Sequence, residues 1–184
     1  MKNYCLITKE ATKYWKKAIK NDRVMVTQHD GIIYIVNGYN AFKFPAMPAI
    51  WDDLARPAFM VDMPAEGEAF SYFNGRKSAA VSGDIVNIFD RNLADKTEAI
   101  RSPFTYEGKD ITLRLYTNKN GSVSGINAKY DAMVDPSQVK EIYCGGRYSP
   151  VVFVNGEYTA LVMPVRMNAL DDAVKDTFYK ILEV

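Results

Sequence analysis

The chain has 184 residues, 48% of them hydrophobic and 24% charged, so it can bury a core and is neither disordered nor fibrous. Lys plus Arg number 23 and Asp plus Glu 22, and the net charge of +1 argues against a protein that coats nucleic acid by bulk charge. Two widely separated cysteines (Cys5, Cys144) and a single histidine (His29) exclude a zinc site of ordinary spacing, and no apolar run is long enough for a membrane span.

In chain order, residues 4–7 read as a short apolar strand and Thr8 as the cap of a helix over 9–21. Ala11, Trp15, Ala18 and Ile19 form one stripe of that helix, and Lys9, Lys13, Lys16 and Lys20 form another. Strands follow over 23–27, 32–36 and 39–44, separated by turns at Asp30-Gly31 and Asn37-Gly38. Between 45 and 67, Pro45, Pro48, Pro57 and Pro64 predict that no long regular element fits, with Trp51 and Phe59 packing the connection onto the core.

A strand over 69–73 meets a second Asn-Gly pair, Asn74-Gly75. Ser82 caps a helix reaching 92, with Ile85, Ile88 and Phe89 on one side. A half-buried strand over 111–116, a turn over 118–121, a strand over 122–126, a short helix over 127–134 and a strand over 139–143 follow. The run from Val151 through Asn155-Gly156 to Pro164 reads as a hairpin, and a helix over 168–182 presents Leu170, Val174, Phe178 and Ile181 on one side.

The segment from Ile33 to Pro45 and the segment from Val151 to Pro164 share one pattern: four apolar residues, Asn-Gly, a strand, then Pro. They lie 118 residues apart, with Glu157 as one extra residue in the second copy. The pattern reads as an internal duplication, with chance likeness between two common hairpins as the alternative.

Three features resemble the bacterial DNA sliding clamps, the DNA polymerase III β subunit family. Ile126-Asn127-Ala128-Lys129-Tyr130 is similar to a helix start of that family, the strand, turn and strand after it have the family's order, and Tyr158 to Met167, with Met163-Pro164-Val165-Arg166, is similar to its closing strand. The resemblance implies an α+β DNA-clamp (processivity) fold: duplicated β-α-β-β-β modules with antiparallel sheets and helices on one face. The expected layout is a single domain over 1–184. Its modules are 1–45 and 122–167, joined by a connecting or degenerate module over 46–121 and followed by a C-terminal helix over 168–184. Full clamp chains of the family carry three domains, and this chain matches little more than one.

The resemblance also implies function. Leu161, Val162, Met163, Pro164 and Val165, with Arg166 at the edge, would form an apolar pocket for short peptide motifs of polymerases or repair factors; the same residues also read as ordinary strand core. Lys9, Lys13, Lys16, Lys17, Lys20 and Arg23 would face duplex DNA without reading its bases. In residues 1–23, seven basic residues (these six and Lys2) stand against Glu10 and Asp22, so the segment carries +5 and the rest of the chain −4. The expectation is therefore a non-catalytic protein of DNA replication or repair that contacts duplex DNA, docks peptides or both. It would form a homo-oligomer, reside in the cytoplasm, and need no metal, cofactor or membrane. A clamp-fold interaction module without a ring or DNA binding is one alternative. An enzyme is another: its candidates are Asp84, Asp90 and Arg91 on the middle helix, and Tyr143, Arg147 and Tyr148 beside Gly145-Gly146, a pair suited to an anion. No GxSxG or P-loop pattern supports that alternative.

Overall fold

The computed structural model describes residues 6–93, 97–145 and 148–165. Cys5, Gly146, Arg147, Arg166 and the expected terminal helix lie outside these residues.

Helix α1 (Lys9–Asn21) begins where the sequence places it. The Thr8 side chain accepts from the Glu10 N–H at 3.3 Å, and the apolar stripe of Ala11, Trp15 and Ala18 is buried. Strands β1 (Arg23–His29), β2 (Ile32–Asn37) and β3 (Asn40–Pro45) follow as an antiparallel meander. Later in the chain, α5 (Ala128–Asp131) precedes β9 (Glu141–Cys144), β10 (Val151–Asn155) and β11 (Tyr158–Val162). The eight-stranded sheet runs β5-β4-β1-β2-β3-β11-β10-β9. Its six strands from β1 to β9 thus mirror one another across the β3–β11 pair.

The registers refine the apparent repeat. Ile35 pairs with Phe42 in the first hairpin and Phe153 with Ala160 in the second, so each residue stands 118 positions before its counterpart. Glu157 is therefore not an extra residue. It occupies the place of Tyr39, because both hairpins turn through two residues, Gly38-Tyr39 and Gly156-Glu157. Phe42 and Ala160, which pair at the β3–β11 seam, are themselves counterparts.

Alternation along the strands fills two cores. Val24, Val26, Ile33, Ile35, Phe42, Phe44, Val151 and Phe153 face α1 and α5, whereas Tyr34, Val36, Ala41, Val152 and Leu161 face the opposite side. A sheet apolar on both faces needs cover on both. Helix α4 (Ser82–Leu93) covers the second face with Ile85 and Phe89, and Tyr34 meets Phe89 edge-on at 5.2 Å. This corrects the expectation of helices on one face: α1 and α5 share a face, and α4 lies on the other.

Residues 45–67 also differ from expectation. Three segments follow one another without a break: α2 (Pro48–Ile50), a π-helical turn (Trp51–Ala55) and α3 (Arg56–Phe59). Pro48 sits at a helix start, where its missing N–H is harmless. At Pro57 the wider turn, closed by the Arg56 N–H on the Trp51 carbonyl, relieves the ladder bond that proline cannot make. Trp51 and Phe59 are buried against the α1 face as expected.

Strand β4 (Ala69–Phe73) pairs with β1, and β5 (Arg76–Ala79), exposed along its whole length and without an apolar pattern, pairs with β4. Between them Asn74 (φ 48°) and Gly75 (φ 77°) are both left-handed, as a tight hairpin turn requires. A smaller sheet contains β6 (Ala99–Glu107), β7 (Thr112–Asn118) and β8 (Val123–Asn127). The β6 register breaks between Arg101 and Thr105, around Pro103, which hides the strand from a period-two reading. This sheet packs on the larger one through Tyr116 against Phe153, 5.3 Å between ring centres. The Cys144 N–H donates to the Thr97 carbonyl at 2.9 Å and the Val165 N–H to the Gly125 carbonyl at 2.8 Å, tying both ends of the small sheet to the large one.

Candidate nucleic-acid interface

Burial of one stripe of α1 fixes where the other points. Lys9, Lys13, Lys16, Lys17, Lys20 and the following Arg23 are all exposed. Lys9, Lys13, Lys16 and Lys20 lie within one narrow sector opposite Ala11, Trp15 and Ala18, and Lys17 flanks it. Only Lys13 of the six has an acidic partner among the described residues, Glu10 at 2.5 Å. At a rise of about 1.5 Å per residue the row is about 16 Å long.

The flank of α1 is held by specific contacts. The Thr8 hydroxyl donates to the Ala132 carbonyl at 2.8 Å and the Thr8 N–H to the Met133 carbonyl at 2.9 Å, joining α1 to the end of α5. The Thr12 hydroxyl donates to the Leu54 carbonyl at 2.8 Å on the other side. Tyr14 meets Tyr130 edge-on at 5.3 Å, Tyr39 stacks on Tyr130 at 5.5 Å, and the Lys129 ammonium lies 4.7 Å from the centre of the Tyr130 ring. Burial pushes the Tyr14 phenol well above its ordinary range, with Tyr130 adding to the shift, so at neutral pH it is a hydrogen-bonding group only.

Helix α5 carries no basic row. Its Asp131 turns inward and is buried, accepting from Arg101 Nη2 at 2.5 Å and from the Tyr116 hydroxyl, with Arg114 Nε 3.6 Å away. Nothing local in the sequence marks Asp131 as buried or shows its partners. Alternation along β7 places Arg114 and Tyr116 on one side, but Arg101 comes from the irregular β6. Burial drives the Tyr116 phenol far up, and the Asp131 carboxylate adds to the shift. These groups line or border a 660 Å³ cleft between the small sheet and β9, with Glu98, Lys119 and Glu141 also in its walls.

The proposed peptide-pocket residues face three environments. Strand β11 sends Leu161 to the α4 core and Val162 to the α1 core, both fully buried. Met163 is 41% exposed, and Val165 packs beside Leu113 and Leu115 on the small sheet. Pro164 is half-buried and bridges to Ile126. Arg166 lies outside the described residues.

Of the enzyme candidates, Arg147 lies outside the described residues, as does Gly146. Asp84, Asp90 and Arg91 are exposed along α4, while the Tyr143 hydroxyl donates to Glu141 and Tyr148 is exposed elsewhere. His29, Asp30 and Glu66 cluster at one turn, but the Glu66 carboxylate accepts the Asp30 N–H at 2.6 Å and the Gly31 N–H at 3.1 Å. Those bonds hold the Glu66 carboxyl below the usual range and explain its position as a clamp on the β1–β2 turn. Among the described residues, no helix is long and apolar enough to cross a membrane.

No protein-family model matches the chain, and no curated protein does. Among solved structures, the chain is similar to a Eubacterium rectale protein described as a "Putative DNA polymerase III beta subunit". The two are 9% identical, the match covers 92% of this chain and 67% of the other, and the TM-score is 0.32, too low to assign a family.

Proposed function

We propose that this chain is a non-catalytic, clamp-like protein of DNA replication or repair that holds duplex DNA non-specifically through α1. The observation that carries the reading is the exposed row of Lys9, Lys13, Lys16 and Lys20 with Lys17 beside it, in which only Lys13 has an acidic partner among the described residues. A mixed, solvated helix face would intersperse both signs. A row of cations, all but Lys13 without an acidic partner among the described residues, suits phosphates.

The likeness of the Met163-Pro164-Val165-Arg166 stretch to a clamp closing strand and the equal registers of the two hairpins support reading the halves as duplicated modules. One copy offers a single short row, so encircling a duplex would take several copies, and the proposal includes self-association.

The test is salt-dependent binding of a short blunt duplex, followed by fluorescence anisotropy. The wild type should bind at low salt and release as salt rises, and Lys13→Glu with Lys16→Glu and Lys20→Glu should abolish binding. Absence of binding by the wild type at low salt would reject the DNA role and leave the interaction-module reading.

A further inference from the structure

The sheet end beside the C-terminus of α1 holds an arrangement that the lysine row does not explain. Arg23 on β1 is directly opposite Phe73 on β4, and Phe73 is directly opposite Arg76 on β5. Directly opposed residues point to the same face with Cβ atoms about 4.5–5.5 Å apart. The Phe73 ring thus has an arginine on each side. Its neighbours Phe70 and Tyr72 are buried in the α1 core, yet Phe73 itself is 59% exposed. Arg23 and Arg76 are also exposed, and neither has an ion-pair partner among the described residues.

This arrangement is costly for the fold alone. A ring left 59% exposed gains only part of the burial of a core phenylalanine, and like charges gathered around it repel. Its position is nonetheless fixed. The left-handed Asn74-Gly75 turn sets the β4–β5 hairpin, and the Gly75 N–H donates to the Ile19 carbonyl at 2.8 Å. That bond seats the hairpin against the last turn of α1, where Lys20 ends the lysine row.

We propose that Arg23, Phe73 and Arg76 form a site for an unpaired nucleotide of single-stranded DNA, with the base stacked on Phe73 and its phosphates on the two guanidiniums. A flat ring between two cations suits a flat, anionic ligand, and stacking accepts any base because every base has a π-face. By alternation this row faces away from α1, so a single strand leaving a duplex on α1 would pass around the β4–β5 hairpin end to reach Phe73. The placement beside a duplex rests on the function proposed above; the stacking itself does not.

The experiment compares three labelled probes on the full chain: the blunt duplex, the same duplex with a thymidine overhang, and oligothymidine alone. The wild type should prefer the overhang duplex to the blunt one by at least about fivefold, the low end of what stacking one base contributes. Phe73→Ala should remove that preference and weaken oligothymidine binding by a similar factor while leaving the blunt duplex unchanged. Phe73→Trp should retain binding, and oligothymidine should quench the new indole.

Equal wild-type affinity for overhang and blunt duplexes would overturn the proposal. So would unchanged oligothymidine binding in Phe73→Ala, the outcome expected if the patch docks a protein instead. Failure of the blunt duplex to bind the wild type would reject the duplex reading alone, since oligothymidine reports on Phe73 independently.

Discussion

The two halves that meet at the β3–β11 seam are alike in their strands and different in their helices. Both present a hairpin with a two-residue turn at the same register. One half carries α1, 13 residues long, with its lysines outside. The other carries α5, four residues long, with its Asp131 buried beneath Arg101 and Arg114. The connections differ too: β1 and β2 join through Asp30-Gly31, whereas β9 and β10 are separated by residues 145–150. Strand pairing follows the apolar pattern, which the halves share. Surface charge is under no such constraint, and among the described residues only α1 carries a row of lysines.

That contrast can be tested by substitution. Trp15→Ala, which empties the core beneath α1, should cost about 3–5 kcal/mol in urea unfolding, the largest effect expected here. On the other half, Asp131→Ala should cost about 2–3 kcal/mol, because it strands two arginines and the Tyr116 hydroxyl; their partial exposure keeps the loss below that of a fully buried pair. A loss near zero would show that α5 needs no buried charge.

Thr8→Ala removes both the α1 cap and the bond to Ala132, and should cost about 1 kcal/mol. Lys13→Glu with Lys16→Glu and Lys20→Glu should change stability by no more than about 0.5 kcal/mol per substitution, since the residues are exposed. A large loss there would mean that the row serves the fold rather than a ligand.

Alkaline pH probes both halves together. The phenols of Tyr14 and Tyr116 are shifted upward from the ordinary value of 10.0. The folded state therefore retains protons that the unfolded chain releases. This contribution is fully present below pH 10.0 and declines as the pH rises above it. Urea midpoints should fall between about pH 9 and pH 11, and Tyr116→Phe should flatten the fall. An unchanged slope in that variant would assign the effect to Tyr14 or to other groups.

Much of the strand order was legible because apolar runs broken by Asp-Gly and Asn-Gly leave few alternatives. Helix α1 was legible from Thr8 and two separate stripes. The lysine row could be placed from the sequence because the buried stripe of a helix fixes its exposed one. The position of α4 was not, since a run such as Ile32–Val36 shows that both sheet faces are apolar but not which helix covers which. The helical stretch across Pro48 and Pro57 was missed because a π-turn accommodates a proline that an α-turn rejects. The Arg101–Asp131–Arg114 cluster and the Arg23–Phe73–Arg76 row depend on pairing between strands, and no local pattern in the sequence encodes either one.

The most direct test of the account is the salt dependence of blunt-duplex binding, compared between the wild type and the triple Lys13→Glu, Lys16→Glu, Lys20→Glu variant. If α1 lies along the phosphates, the wild-type affinity should fall steeply with salt. Each lysine that neutralises a phosphate contributes about 0.9 to the logarithmic slope, so three contribute about 2.7, and the variant should not bind. The same affinity and slope in both proteins would contradict the assignment of DNA binding to α1.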